Sequence, residues 1–505
     1  MASAQIALPM ETAILPARPA LRARASYEAA AQTRRTLGWR APTTSPNSAI
    51  MGGLSVLRDR SREATRNNGY ADSALDKLVT NIIGTGIKPL SMADDTDFRQ
   101  DVHALFLQWT DESDADGLLD FYGQQTQVCR TWLEAGECFV RLRDRFPEDG
   151  LSVPLQLQVL EPELCPYTHN VGLQNGNMVR AGIEFDRIGR RAAYYFHPVR
   201  PGAPEDFDAG SLIRVPADRV MHIYNPLRPG QLRGIPHLTQ ALVKLNSLDK
   251  MDDGLLLRME LSNMFVGFFK GAPTTEDPQL DPLTGQALDT RDDKAMLTLE
   301  AGTFQQLDHG EELDWSEPPD PPQSYPDFVQ AQLRHIATAA KVPYEVLTGD
   351  MSDVNDRTVR VILHEFRRKI QALQHQILAF QLCRPLWKAW MDRAFLASAL
   401  DLPASYLDNP GPWSAARWIP QAWPYLHPVQ DVQAKQAAIR AGFTTRAAEV
   451  SEQGEDTESI DAQQAADNAR ADRLSLKYDS DGRFPASASI VDPEALAAQL
   501  QGAQA

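Results

Sequence analysis

Residues 342–360 read "VPYEVLTGDMSDVNDRTVR". A proline-containing apolar turn runs into small, polar and acidic residues and then into a helix rich in arginine. Upstream, "DFVQAQLRHIATAAKV" has a helical pattern that stops at Pro343, since the residue before a proline is pushed away from helical geometry. Downstream, apolar residues fall at Leu363, Phe366, Ile370, Leu373, Ile377 and Phe380, alternating steps of three and four that share one helical face. Pro385 is expected to kink or end that helix. A flexible acidic loop between two helices could be a ligand site, an enzyme's lid or an element that touches a moving polymer.

Further out, residues 236–270 form a long helical pattern that starts with Pro236 at a permissible first-turn position. An acidic, Pro/Gly-rich stretch (271–295), a strand-like "MLTLEAGTFQQLDHGEELDW" and the stiff connector "SEPPDPPQSYP" separate it from the helix that leads into the loop. The pattern is a small β-rich insert held between two helices. Residues 54–86 read as two helical pieces broken at "RNNGY" and ended by Gly84 and Gly86. Residues 98–146 add helices with Phe106, Trp109, Trp132 and Phe139 buried. Residues 153–224 hold short β-rich runs between turn residues. "DNPGPWSAARWIPQAWPYLHP" reads as packed but irregular, residues 428–478 as polar Ala-rich helix, and residues 1–50 and the last 25 or so as loose. The fold class expected is α+β, mainly helical.

The chain has 505 residues, 43% of them hydrophobic and 23% charged, which is globular composition with material for several subregions. A net charge of -17 argues against tight wrapping of nucleic acid and against an anionic membrane surface. Cys129, Cys138, Cys165 and Cys383 lack CxxC spacing and are expected as buried free thiols of a reducing compartment. No apolar run approaches the roughly 18 residues of a membrane span, and the opening does not resemble a secretory signal.

Catalytic patterns are scarce. "GTGIKP" follows a helix rather than a strand, so its glycines read as a helix terminator and not a phosphate loop. His364 and Glu365 are helical neighbours that point apart, which leaves no metal pair. "MADDTDF" and "TDESDADG" could suggest calcium ligands, but the second has no glutamate at the twelfth loop position. No metal and no cofactor is expected. Arg357, Arg360, His364 and Arg367 form a basic stripe flanking the apolar seam, suited to ion pairs, a neighbouring subunit or DNA phosphates.

Six stretches in order give a resemblance: "SYEAAAQTRRTLGWRAPTTSPN", "SREATRNNGYADSALDKLVTNIIGTGIKP", "GQLRGIPHLTQAL", the run from "MLTLEAG" to "YEVLTGD", "EFRRKIQALQHQILAFQLCRPLWKAW" and "RWIPQAWPYLHPVQDVQAKQAAIRAGFTTRAAEV". Over roughly residues 25–475 the sequence resembles the lambda-type portal proteins of tailed bacteriophages. That resemblance implies a non-enzymatic ring of about twelve copies at one capsid vertex, a homododecameric channel for DNA packaging and ejection. It implies as partners the terminase large subunit, head completion and connector proteins, the major capsid protein and non-specifically passing double-stranded DNA, with assembly in the host cytoplasm and no membrane. It further implies an arm at 1–50, a wing at 51–235, a first stem helix at 236–270, a clip at 271–322, a second stem helix at 323–342, a tunnel loop at 343–356, a wing return at 357–425, a crown at 426–478 and a disordered tail at 479–505. The channel loop would comprise Thr348, Gly349, Asp350, Met351, Ser352, Asp353, Val354, Asn355 and Asp356, whose acids would discourage DNA from sticking. Arg357, Arg360 and Arg367 would meet DNA or a neighbouring subunit. The alternatives from residues alone are a metal-dependent hydrolase built on the acidic clusters and a monomeric capsid scaffold module.

Overall fold

The structure, a computed structural model, describes residues 38, 41–199, 201, 211–263, 267–271, 283, 311–315, 325–352, 354–423, 427–476, 478 and 483. Helix α1 (Pro46–Met51) falls inside the stretch expected to be a loose arm, with Ser45 capping it. The pair α2 (Leu54–Asn67) and α3 (Gly69–Ile82) is broken where "RNNGY" predicts. Asn68 is extended there, and its side chain accepts from the N–H groups of Tyr70 and Ala71 at 3.1 Å, which caps α3. Strand β1 (Lys88–Ser91) follows, then α4 (Thr96–Glu112) and α5 (Phe121–Ala135), capped by Asp95 and Asp120. Phe106, Trp109 and Trp132 are buried as expected. Phe139 is buried too, but in strand β2 (Glu137–Asp144), whose side chains alternate between two faces.

β2 is the centre of an antiparallel three-stranded sheet. Its neighbours are β3 (Leu155–Leu160) and a later strand, Val220–Tyr224. Between them runs a five-stranded antiparallel meander in sequence order: β4 (Val171–Gly172), β5 (Met178–Arg180), β6 (Ile183–Phe185), β7 (Arg191–Phe196) and β8 (Ile213–Pro216), after which Val220–Tyr224 is β9. Phe139 joins the sheets, packing with Cys165, Ile183, Tyr194, Phe196 and Val215 in a core of their own. The larger core gathers the opposite face of β2 and the helices around Phe106, Trp109, Phe121, Trp387 and Trp390. All four cysteines are free and buried.

A short turn at His237–Gln240 leads into α6 (Leu242–Asn263). The helical pattern expected to reach 270 ends earlier, because Gly267–Gly271 ("GFFKG") is strand β10, two aromatics between glycines that suit extended backbone better than a helix. β10 pairs antiparallel with β11 (Glu311–Trp315), and most of the insert between them lies outside the described residues. α7 (Tyr325–Ala340) runs antiparallel to α6: Lys244 Nζ donates to Gln332 Oε1 at 3.2 Å and Tyr325 Oη to Asp252 at 2.6 Å. Two antiparallel helices therefore carry one strand pair at their shared end.

After α8 (Tyr344–Thr348), α9 (Asp356–Leu373) passes into a π-helical segment, Gln374–Cys383, and then α10 (Arg384–Leu396). The apolar face expected to include Phe380 slips here. The i→i+5 turns advance the buried side by four to five residues, so Ile377, Leu378, Leu382, Cys383 and Leu386 face inward and Phe380 is 60% exposed. Pro385, expected to kink or end the helix, does not end it: it lies in the first turn of α10, which follows the π-helical segment directly. The aromatic segment expected to be irregular contains α11 (Gly411–Ser414) and β12 (Ala416–Ile419), paired antiparallel with β1. Helices α12 (Pro428–Arg440), α13 (Arg446–Glu452) and α14 (Thr457–Leu474) follow, as the Ala-rich composition predicts.

Candidate functional site

The non-helical part of the loop is shorter than its sequence suggests. Thr348 is the last residue of α8, and Gly349, at φ 75, closes that helix by donating its N–H to Glu345 O. That left-handed conformation is open to glycine at little cost. Leu347 is buried and its carbonyl accepts from Ser73 Oγ at 3.0 Å, which ties the start of the loop to α3. At the other end Asn355 caps α9, accepting from the N–H and hydroxyl of Thr358 at 2.9 Å. The loop proper spans Gly349–Asn355, pinned at both ends.

Its acids are engaged. Asp350 accepts from the hydroxyl and N–H of Ser352 at 2.6 and 3.1 Å and from Tyr344 Oη at 3.0 Å, and these bonds hold its carboxyl below the usual range. Asp356 is the first residue of α9 and pairs with Arg360 at 3.0 Å and with His427 at 3.3 Å. Asp353 lies outside the described residues. Met351, half exposed, and Ser352 are left as the outward residues of the turn, and Val354 is half-buried.

The basic stripe on α9 divides. Arg360 turns back to Asp356, and the guanidinium of Arg367 lies over the Trp423 ring, 5.0 Å from its centroid. Arg357 is exposed and makes no ion pair among the described residues. The helix thus offers one open cation beside the loop rather than a continuous strip.

Sequence inspection missed a buried charge cluster. Glu137, fully buried, is the first residue of β2; its Oε1 accepts from Arg58 of α2 at 2.5 Å and from Arg233 Nε at 2.6 Å. Its Oε2 accepts from Gly234 N at 2.9 Å and faces His222 Nε2 of β9, also at 2.9 Å. Arg233 spends its other donors on the carbonyls of Pro162, Cys165 and Ala181, and Arg58 reaches Ala135 O. Burial alone would raise the Glu137 carboxyl, but Arg233 and Arg58 override it and hold the group well below the usual range. Burial pushes His222 down to about 4, so the ring is neutral, stacked between Phe139 and Tyr224. "GQLRGIP" contributes both the cation and the turn that delivers it. The available signal was an arginine followed directly by glycine in a Pro/Gly-rich loop.

The acidic clusters considered as metal ligands have local roles. Asp95 caps α4, and Asp114 accepts from the N–H groups of Asp116, Leu118 and Leu119 and from Gln124. Among the described residues no group of three or more His, Cys, Asp or Glu is placed to hold a metal ion, and no helix is long and apolar enough to cross a membrane.

Residues 32–374, which include this cluster, the helix pair and the loop, match the profile described as phage portal protein, lambda family. The chain belongs to that family. A portal protein is the DNA-packaging connector component of a phage capsid, and this chain is one. It is 26% identical over 472 residues to the probable portal protein of Halomonas phage phiHAP-1, a match covering 89% of this chain and 88% of the relative. It is 21% identical over 475 residues to portal protein B of Escherichia phage lambda, covering 87% and 88%. Among solved structures it is similar to a chain of the virion of a native gene transfer agent particle, at 15% identity and TM-score 0.42, covering 82% of this portal protein and 100% of that chain. It is also similar to an HK97 family phage portal protein from Corynebacterium diphtheriae, at 12% identity and TM-score 0.32, covering 71% and 94%.

Proposed function

We propose that about twelve copies of this portal protein close into a ring whose channel passes double-stranded DNA during packaging and ejection, with the 348–356 loop facing the channel. The antiparallel pair α6 and α7 forms the stem, the strand pair β10–β11 belongs to a clip that docks the terminase large subunit and later the head completion and connector proteins, residues 51–235 and 357–425 form a wing beside the major capsid protein, and 426–478 form the crown. Assembly takes place in the host cytoplasm and the ring ends at the portal vertex of the virion. The chain works as a conduit rather than an enzyme; DNA translocation is driven by the partner.

The observation that carries this assignment is a loop pinned at both ends to helices, lying at the opposite end of α7 from β11. A channel lining must touch a long polyanion without gripping it, since each retained phosphate contact is a brake. The loop meets that need in two ways. Its described acids are already hydrogen-bonded, and Met351 and Ser352 present an uncharged tip. Arg357 supplies a single sequence-independent contact of moderate strength.

Deleting Asp350–Val354 keeps the Gly349 and Asn355 caps and tests the assignment. Rings of the variant should form as in the wild type, while heads assembled with it should retain less DNA. Unchanged DNA content, or loss of ring assembly alone, would contradict a channel role for this loop.

A further inference from the structure

One strongly basic feature lies on elements other than the loop. Strand β2 continues as "RLRDR", and the period of two puts Arg141 and Arg143 on one face while Leu142 is buried on the other. With Arg145, Arg214 of β8 and Arg219 ahead of β9 they line a concave pocket of about 360 Å³. Asp144 is its acidic member, already paired with Arg219 and, at 3.1 Å, with Arg393. Arg214 is held at 2.7 Å by Glu184 and Arg145 donates to Gln156 at 2.8 Å. Arg141 and Arg143 have no ion pair or side-chain hydrogen bond among the described residues. Six guanidiniums thus meet two carboxylates, a local excess of four positive charges in a chain whose net charge is -17. Burial and the neighbouring Arg143 push the Arg141 pKa down, so an incoming anion would relieve the crowding.

A guanidinium offers parallel N–H groups that match the oxygens of a phosphate. Here the unpaired forks are those of Arg141 and Arg143 on β2, while Arg214 of β8 and Arg219 before β9, each paired with one carboxylate, add positive charge to the same pocket. We propose that this arginine pocket is an oxyanion site that holds a phosphate of double-stranded DNA, separately from the channel loop. That DNA supplies the phosphate rests on the portal function; that the pocket takes an oxyanion does not. A contact of this kind on a rigid sheet would fix DNA against the portal body where the channel lets it slide.

The test uses the full chain, a short labelled duplex and fluorescence anisotropy across a salt series. Arg141→Glu/Arg143→Glu should weaken binding about tenfold at roughly 0.1 M salt and flatten the logarithmic salt slope by about one, as the loss of one phosphate contact requires. Arg141→Lys/Arg143→Lys keeps the charge without the forks and should keep the slope while losing part of the affinity, with its melting curve confirming an intact fold. Arg440→Glu, an exposed reversal on α12, should change neither. Inorganic phosphate should compete with the duplex for the wild type and not for the Glu variant. Equal duplex affinity in wild type and Glu variant overturns the proposal; so does phosphate binding by the pocket without any duplex effect, or loss of polyglutamate binding alone, which would assign it to an acidic protein. Ring assembly of the Glu variant, followed by light scattering, reports on the channel function independently.

Discussion

Glu137→Ala is expected to destabilise the folded chain by about 3–5 kcal/mol, because removing one partner strands buried guanidiniums that cannot recover their hydration. The carboxylate holds Arg58, His222, Arg233 and the Gly234 N–H at once, which ties three separate parts of the chain together. Urea denaturation of the purified protein measures the loss as a lower midpoint. Glu137→Gln keeps the shape and two acceptor lone pairs but not the charge, and should lie between wild type and alanine. Equal midpoints for wild type and alanine variant would mean that the cluster contributes nothing beyond its packing. The sign with acid is fixed by the same contacts. Arg233 and Arg58 depress the folded-state carboxyl against the cost of burial, so its contribution is fully present above the unfolded glutamate pKa and is lost only as pH falls through the lower folded value.

Gly234→Ala should be comparably severe, about 3 kcal/mol or more, by a steric route. A Cβ on Gly234 would stand 2.0 Å from the carbonyl oxygen of Gly136, a backbone atom that cannot rotate aside. Gly136 is confined in turn, since its φ is 93 and a Cβ there would meet the Ile235 backbone at 2.3 Å. The two segments would have to separate, which pulls the Gly234 N–H off Glu137. The Gly234→Ala and Glu137→Gln losses should therefore combine less than additively in a double-mutant cycle. Full additivity, or a Gly234→Ala midpoint within error of wild type, would show that the close approach is not what this turn protects.

The sequence carried the fold where local chemistry and packing agree. The break at Asn68 is written in "RNNGY", because an asparagine side chain can cap only the helix that begins after it. The α9 seam is equally plain through Ile377. It fails at Phe380 because a π-helical segment changes the period, and nothing in a list of apolar residues marks a change in hydrogen-bond register. β10 was hidden for another reason: "GFFKG" continues an apolar helical pattern, and only a distant partner strand, with Gly271 facing Glu311 at the near end and Gly267 facing Trp315 at the far end, makes it a strand. At the candidate site, the loop's place between two helices was legible. The pairing of Asp356 with His427 and the seat of Arg367 on Trp423 depend on contacts across the chain and were not. The same holds for Glu137, whose partners lie at 58, 222 and 233.

Imaging of the purified full-length portal protein by single-particle electron microscopy tests the central claim most directly. The expected particle is a closed ring of about twelve subunits with Gly349–Asn355 lining the central hole and Met351 at its surface. A monomer under assembly conditions, or a ring that places Gly349–Asn355 away from its hole, would contradict it.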